Sequence, residues 1–147
     1  MEKANQDQLN LHIAKTYYFN TLWKEGLLRL GFVVLMYLLY LLITGTTTST
    51  PSYYIILSFD LSSIVILLTS MIFLSRLPGY EMISFQSAFL FSLVQSIWYI
   101  HDRMANHFIE QFPFGAFYFV LAWSSDRYML SNLSMAEKAA STLKKNK

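Results

Sequence analysis

The chain has 147 residues, of which 54% are apolar, 17% aromatic and only 14% charged, with a formal net charge of +2. A soluble domain carries about a quarter charged residues, so this composition excludes an ordinary soluble protein and points to a membrane one. Cysteine is absent, which rules out disulfides, thiolate nucleophiles and cysteine–metal sites. The basic residues flank apolar runs, so nothing argues for nucleic acid as a partner.

Residues 1–26 form a polar tail. Within it Leu9, Ile13 and Tyr17 recur at helical spacing, as do Leu11, Tyr18 and Leu22, and Trp23 falls near the expected membrane interface. This pattern predicts an amphipathic helix over 8–25 lying on the cytosolic face. A loosely ordered tail ending in an aromatic belt is the other reading. His12 stands alone there and reads as ordinary.

Four apolar stretches follow: Leu27–Thr44, Tyr53–Leu74, Met82–Ile100 and Phe112–Leu130. A span needs roughly 20 mostly apolar residues. The first holds only Arg29, near its start, where a long side chain snorkels to the headgroups. The second holds a single charge, Asp60, and the third holds none. The fourth has 15 uncharged residues between Glu110 and Asp126, about 23 Å of helix, short for a hydrocarbon core of about 30 Å. Extending it to Leu130 restores the length and brings Asp126 and Arg127 to an interface; Pro113 and Gly115 favour a re-entrant or surface segment instead.

The distribution of Lys and Arg arbitrates. With four spans, ten of the eleven basic residues share one side, and only Arg103 faces the other. Three spans would divide them five against six. The expected architecture is therefore all-α: an integral membrane four-helix bundle with both termini cytosolic. The first stretch begins beyond residue 25, after Glu2, Asp7 and Glu25, and reads as a signal-anchor rather than a cleaved signal peptide.

The connections are short. Gly45–Ser52 is a Thr-rich turn, and Pro78-Gly79 predicts a tight antiparallel hairpin between the second and third spans. Residues 101–111 form a polar loop on the non-cytosolic side. Residues 131–147 form a basic cytosolic tail, with a frayed helix expected from Met135 onward.

Apolar burial cannot drive helix association in lipid, so small residues and interhelical hydrogen bonds must contribute. Ser84, Ala88, Ser92 and Ser96 recur every four residues in the third span. Ser58 and Ser62 in the second span, with Thr69 and Ser70 two turns on, complete the expected packing seam. Asp60 is the residue singled out, because an ionisable group in the hydrocarbon is costly. Gln95 matches its depth to within roughly 3 Å at helical rise. The two are expected to pair as a polar latch, with the carboxyl in its neutral acid form.

His101, Asp102, Arg103, His107 and Glu110 make a polar cluster at the mouth of the third span. Arg103, His107 and Glu110 share a helix face. Their types suit metal binding or acid–base work, but the spacing matches neither HExxH nor another ligand pattern, and polar caps with interfacial ion pairs explain it. No catalytic residue, metal site or cofactor is expected.

Lys144-Lys145-Asn146-Lys147 resembles the dilysine KKxx signal by which coat proteins retrieve membrane proteins to the endoplasmic reticulum. Asn132-Leu133-Ser134 is an acceptor sequon that would stay unused in the cytosol. With that ending, the stretch Tyr17–Leu42 loosely resembles Jagunal-type proteins of the endoplasmic reticulum. The acidic residue in the second span and the run Met82-Ile83-Ser84 loosely resemble the small four-span proteins of the ciliary transition zone. Neither resemblance supplies a motif whose residues carry over.

The expectation is a small non-enzymatic membrane protein of the endoplasmic reticulum or early secretory pathway, a subunit or an assembly, trafficking or organising factor. Its expected partners are membrane lipids, other membrane-protein subunits and, through the tail, coat proteins. Two alternatives stand beside it: an enzyme or carrier for a lipid or small solute built on the His101–Glu110 cluster, and a four-span scaffold of the transition zone.

Overall fold

The computed structural model describes residues 2–45, 51–105 and 112–145, and their side chains except those of residues 2–6, 45, 51–53 and 143–145. Among these residues the protein is all-α, with four helices and no strand: α1 (Glu2–Gly45), α2 (Pro51–Ser75), α3 (Glu81–Ala105) and α4 (Phe114–Lys145). Three helices contain segments long and apolar enough to cross a membrane, Asp7–Thr44, Tyr54–Ser75 and Glu81–Ala105. This marks a membrane protein. The fourth apolar stretch is helical from Phe114 but is not among these segments. Asp126 and Arg127 interrupt its apolar run, and α4 continues to Lys145 as a polar helix.

The chain divides into two compact units, residues 27–122 and residues 1–26 with 123–147. In the first, α2 and α3 form an antiparallel hairpin. Pro51 begins α2, where its missing N–H is no loss. The helix ends at Ser75, and Arg76 takes a positive φ of 50°. Pro78-Gly79 then turns the chain: Gly79 has φ 84°, and the Tyr80 N–H donates to the Leu77 carbonyl at 3.1 Å. Proline followed by a positive-φ glycine is the pattern of a type II turn. The Tyr80 carbonyl accepts the Ser84 N–H at 2.9 Å, and Glu81 in the first turn of α3 suits the helix dipole.

Aromatic and small residues join α4 to this hairpin. Ile66, Ala88 and Phe119 form a buried cluster with Phe85 packed against it. The Phe85 ring lies 5.4 Å from Phe73 and 5.8 Å from Phe119. Helix α1 is held by Tyr118, whose hydroxyl donates to the Leu27 carbonyl at 2.8 Å. Gly31 makes this contact possible, since a Cβ there would sit 2.5 Å from the Tyr118 hydroxyl oxygen. The outward faces remain apolar: Phe32, Val33, Met36, Tyr40 and Ile43 of α1 and Leu90, Leu93, Val94 and Ile97 of α3 are exposed. Such surfaces are an aggregation hazard in water and suit a hydrocarbon surround.

The second unit pairs the first part of α1 with the last part of α4, antiparallel. The Tyr17 hydroxyl donates to Glu137 Oε1 at 3.3 Å, and the Asn20 amide donates to the Met129 carbonyl at 3.2 Å. Ala136 is buried between them, where its small side chain permits close approach. Residues 8–25 are thus helical as part of α1; Leu9 and Ile13 are half-buried, while Leu11, Tyr17, Tyr18 and Leu22 are exposed.

Candidate functional site

Serine and threonine hydroxyls in α2 and α3 mostly serve their own helices. Ser58 donates to the Tyr54 carbonyl, Ser70 to Ile66, Ser84 to Tyr80 and Ser92 to Ala88, at 2.6–2.7 Å. A hydroxyl satisfied in this way behaves as a small group and not as a bridge between helices. The structure places Ser84, Ala88 and Ser92 on a buried face of α3 and leaves Ser96 half-buried. On α2, Ser63 and Ser70 are buried, Ser62 is half-buried and Ser58 is exposed. Ser63 follows Phe59 by four residues and so shares its face.

Gln95 is the exception, and it organises the candidate site. Its side chain is 1% exposed. The Nε2 group donates toward Ser63 Oγ, Ser62 Oγ at 3.1 Å and the Phe59 carbonyl at 3.2 Å. On the other side, Gln95 Oε1 accepts the backbone N–H of Ala116 at 3.2 Å. Only the oxygen can accept that N–H, so the amide orientation is fixed. One side chain of α3 therefore bonds α2 and α4 together.

The partner on α4 is a helix start. The first N–H groups of a helix have no acceptor within it and need one from a cap or a neighbour. Here Pro113 precedes the helix; its carbonyl takes the Phe117 N–H at 3.0 Å, but its ring offers no side-chain acceptor. Gln95 supplies the acceptor from another helix. The approach is close: a Cβ on Gly115 would lie 2.7 Å from the Ser63 carbonyl oxygen and 2.8 Å from Ser63 Cα. Pro113 and Gly115, which favoured a re-entrant segment in the sequence, mark the start of a helix seated against α2.

Asp60 does not join this junction. It is 3% exposed, and its Oδ1 has no hydrogen-bond partner among the described residues. The expected bond between Asp60 and Gln95 is not formed, for a geometric reason. Phe59, Ser62 and Ser63 stand at i, i+3 and i+4 and face Gln95, while Asp60 is rotated about 100° further round α2.

Three residues of the polar cluster at the end of α3 are described. His101 is exposed, Asp102 is buried, and Arg103 is exposed with its guanidinium carbon 6.0 Å from the centre of the Tyr99 ring. Successive helical residues point in different directions. His107 and Glu110 lie outside the described residues. Lys144 and Lys145 fall in the last turn of α4, and their side chains lie outside the described set.

Sequence reasoning finds Gln95 and Ser62 but misses Ser63, Gly115 and Ala116. A glycine just after a proline at the head of an apolar run is the one legible signal, and it does not name the opposing residue. The junction's amide, hydroxyl and backbone groups are committed to one another, so its chemistry is the fixing of three helices. Compared with family models, curated proteins and solved structures, the chain finds no match.

Proposed function

We propose that this chain is a small, non-enzymatic, polytopic membrane protein, folded as an integral four-helix bundle with both termini in the cytosol. It serves as a subunit or as an assembly, trafficking or organising factor. The observation that carries the reading is the Gln95 junction. A buried amide that bonds two neighbouring helices fixes their arrangement and leaves apolar outer faces for lipid and for the spans of other subunits. Ten of eleven basic residues on one side support the four-span topology.

The test is the size of the assembly extracted in mild detergent. The tagged chain should migrate on native gels in a complex larger than itself, and Gln95→Leu should dissolve that complex while the chain remains in the membrane. Loss of the acceptor leaves the Ala116 N–H buried and unpaired, at a cost of about 1–3 kcal/mol. Migration as a lone chain, or a complex indifferent to the substitution, refutes the reading.

Residence in the endoplasmic reticulum or early secretory pathway rests on Lys144 and Lys145, with coat proteins as the tail's partner. An amino-terminally tagged protein should show reticular staining and escape forward when both are changed to Ser. Unchanged residence elsewhere refutes this part of the proposal.

A further inference from the structure

The antiparallel pair formed by the first part of α1 and the last part of α4 encloses an open groove of about 570 Å³. That size lies within the roughly 300–1,000 Å³ of small-molecule sites. Three aromatic side chains line it, Phe19 and Trp23 from α1 and Tyr128 from α4. All three are largely exposed, at 55%, 65% and 68%. The register set by Asn20 with Met129 and Tyr17 with Glu137 brings Trp23 and Tyr128 to the same end. Toward the other end lie His12 and Ala139.

Between these ends the groove presents neutral polar groups. Asn20 and Asn132 contribute amides, and Thr16 contributes a hydroxyl. The Asn132 amide and the His12 imidazole have no hydrogen bond to another described residue. Among the described residues the lining contains no Asp, Glu, Lys or Arg. A ligand with net charge would find no counter-charge, so the groove suits a ligand that is neutral overall.

Aromatic faces bind one cation especially well, the quaternary ammonium, which has no N–H to donate and is held by ring quadrupoles. The free Asn132 amide is a donor that suits phosphate oxygens. We propose that this groove binds a phosphocholine group, with the quaternary ammonium against Trp23, Tyr128 and Phe19 and the phosphate toward Asn132, one helical turn from Tyr128. A primary ammonium, as in phosphoethanolamine, keeps three donors that aromatic walls leave unsatisfied. The inference stands on the geometry of this groove and does not depend on the function proposed above.

The experiment is calorimetric titration of the full chain in maltoside micelles. The probes are dihexanoyl-phosphocholine, its phosphoethanolamine and phosphoglycerol counterparts, and the soluble diester glycerophosphocholine. The choline lipid should bind, and both counterparts should bind at least about tenfold more weakly. Trp23→Leu and Tyr128→Leu should each weaken choline binding by about tenfold, whereas Trp23→Tyr, which keeps an aromatic face, should retain most of it. Helical circular dichroism read on each variant separates loss of the site from loss of the fold.

Glycerophosphocholine binding as well as the lipid identifies a soluble headgroup ligand, and binding of the acylated form alone identifies a membrane lipid; both uphold the proposal. Equal affinity for all headgroups, no uptake at all, or indifference to Trp23→Leu with the fold intact overturns it. So does a dimer that depends on Trp23 and takes up no headgroup, since a second copy would then cover the groove.

Discussion

At the scale of single residues, two buried polar side chains in neighbouring helices have opposite standing. Gln95 offers two donors and an acceptor, and α2 and α4 meet both sets of needs. Asp60 is nearly as buried, yet Oδ1 has no partner among the described residues. The cost of substitution follows the partners lost and not the charge removed. Asp60→Asn should therefore change stability by less than about 1 kcal/mol, measured as thermal unfolding in detergent, while Gln95→Leu should lower the melting temperature clearly. A sharp loss with Asp60→Asn would reveal a partner for the carboxyl. Gln95 and Asp60 were both legible in the sequence as polar residues in apolar runs, but the partners of Gln95 were not, and the bond expected between the two is not formed. Depth can be counted along a helix, whereas the rotation that turns Phe59, Ser62 and Ser63 toward Gln95 belongs to the packed hairpin.

At the scale of elements, the small residues matter for proximity more than for bonding. Ser84 and Ser92 return their hydroxyls to their own helix, so what they contribute to the α3 face is a short side chain. Gly115 carries the same logic to its limit, because the atoms opposing it are the Ser63 carbonyl oxygen and Cα, which cannot rotate away. Gly115→Ala should cost about 1–3 kcal/mol through forced displacement of the α4 start. It should also weaken the bond between Gln95 and Ala116. Gly26 is the control: it is helical, and a Cβ there meets nothing within 4 Å. Gly26→Ala should be neutral or stabilise by up to about 1 kcal/mol. Chemical or thermal unfolding of the two variants side by side checks the contrast, and equal effects would refute the close approach. The Pro78-Gly79 turn was readable without a structure, because its backbone requirement is local: φ of 84° at Gly79 is one that glycine adopts at little cost.

At the scale of the whole molecule, the number of membrane crossings decides which side each terminus faces. Three helices have segments of sufficient length and apolarity; the proposed topology adds a fourth crossing. The absence of native cysteine allows single-cysteine labelling from each side. With four spans, Asp7→Cys and Ser141→Cys should both react only from the cytosolic side, and Thr48→Cys only from the opposite side. A three-span chain would place the sites at residues 7 and 141 on opposite sides. The measurement is labelling by an impermeant maleimide in sealed and opened vesicles.

The sequence by itself determined the class of the protein, the positions of the apolar runs and the hairpin turn. These depend on composition, segment length and local backbone preference, each of which is a property of neighbouring residues. Only the tertiary structure decided that Gln95 meets Ser63, 32 positions away, and Ala116, 21 positions away. It alone set Phe19 and Trp23 in one groove with Tyr128. Helical periodicity states which residues share a face. Which faces meet depends on the rotation and axial offset of every helix against its neighbours, and those are fixed by the fit of two surfaces together.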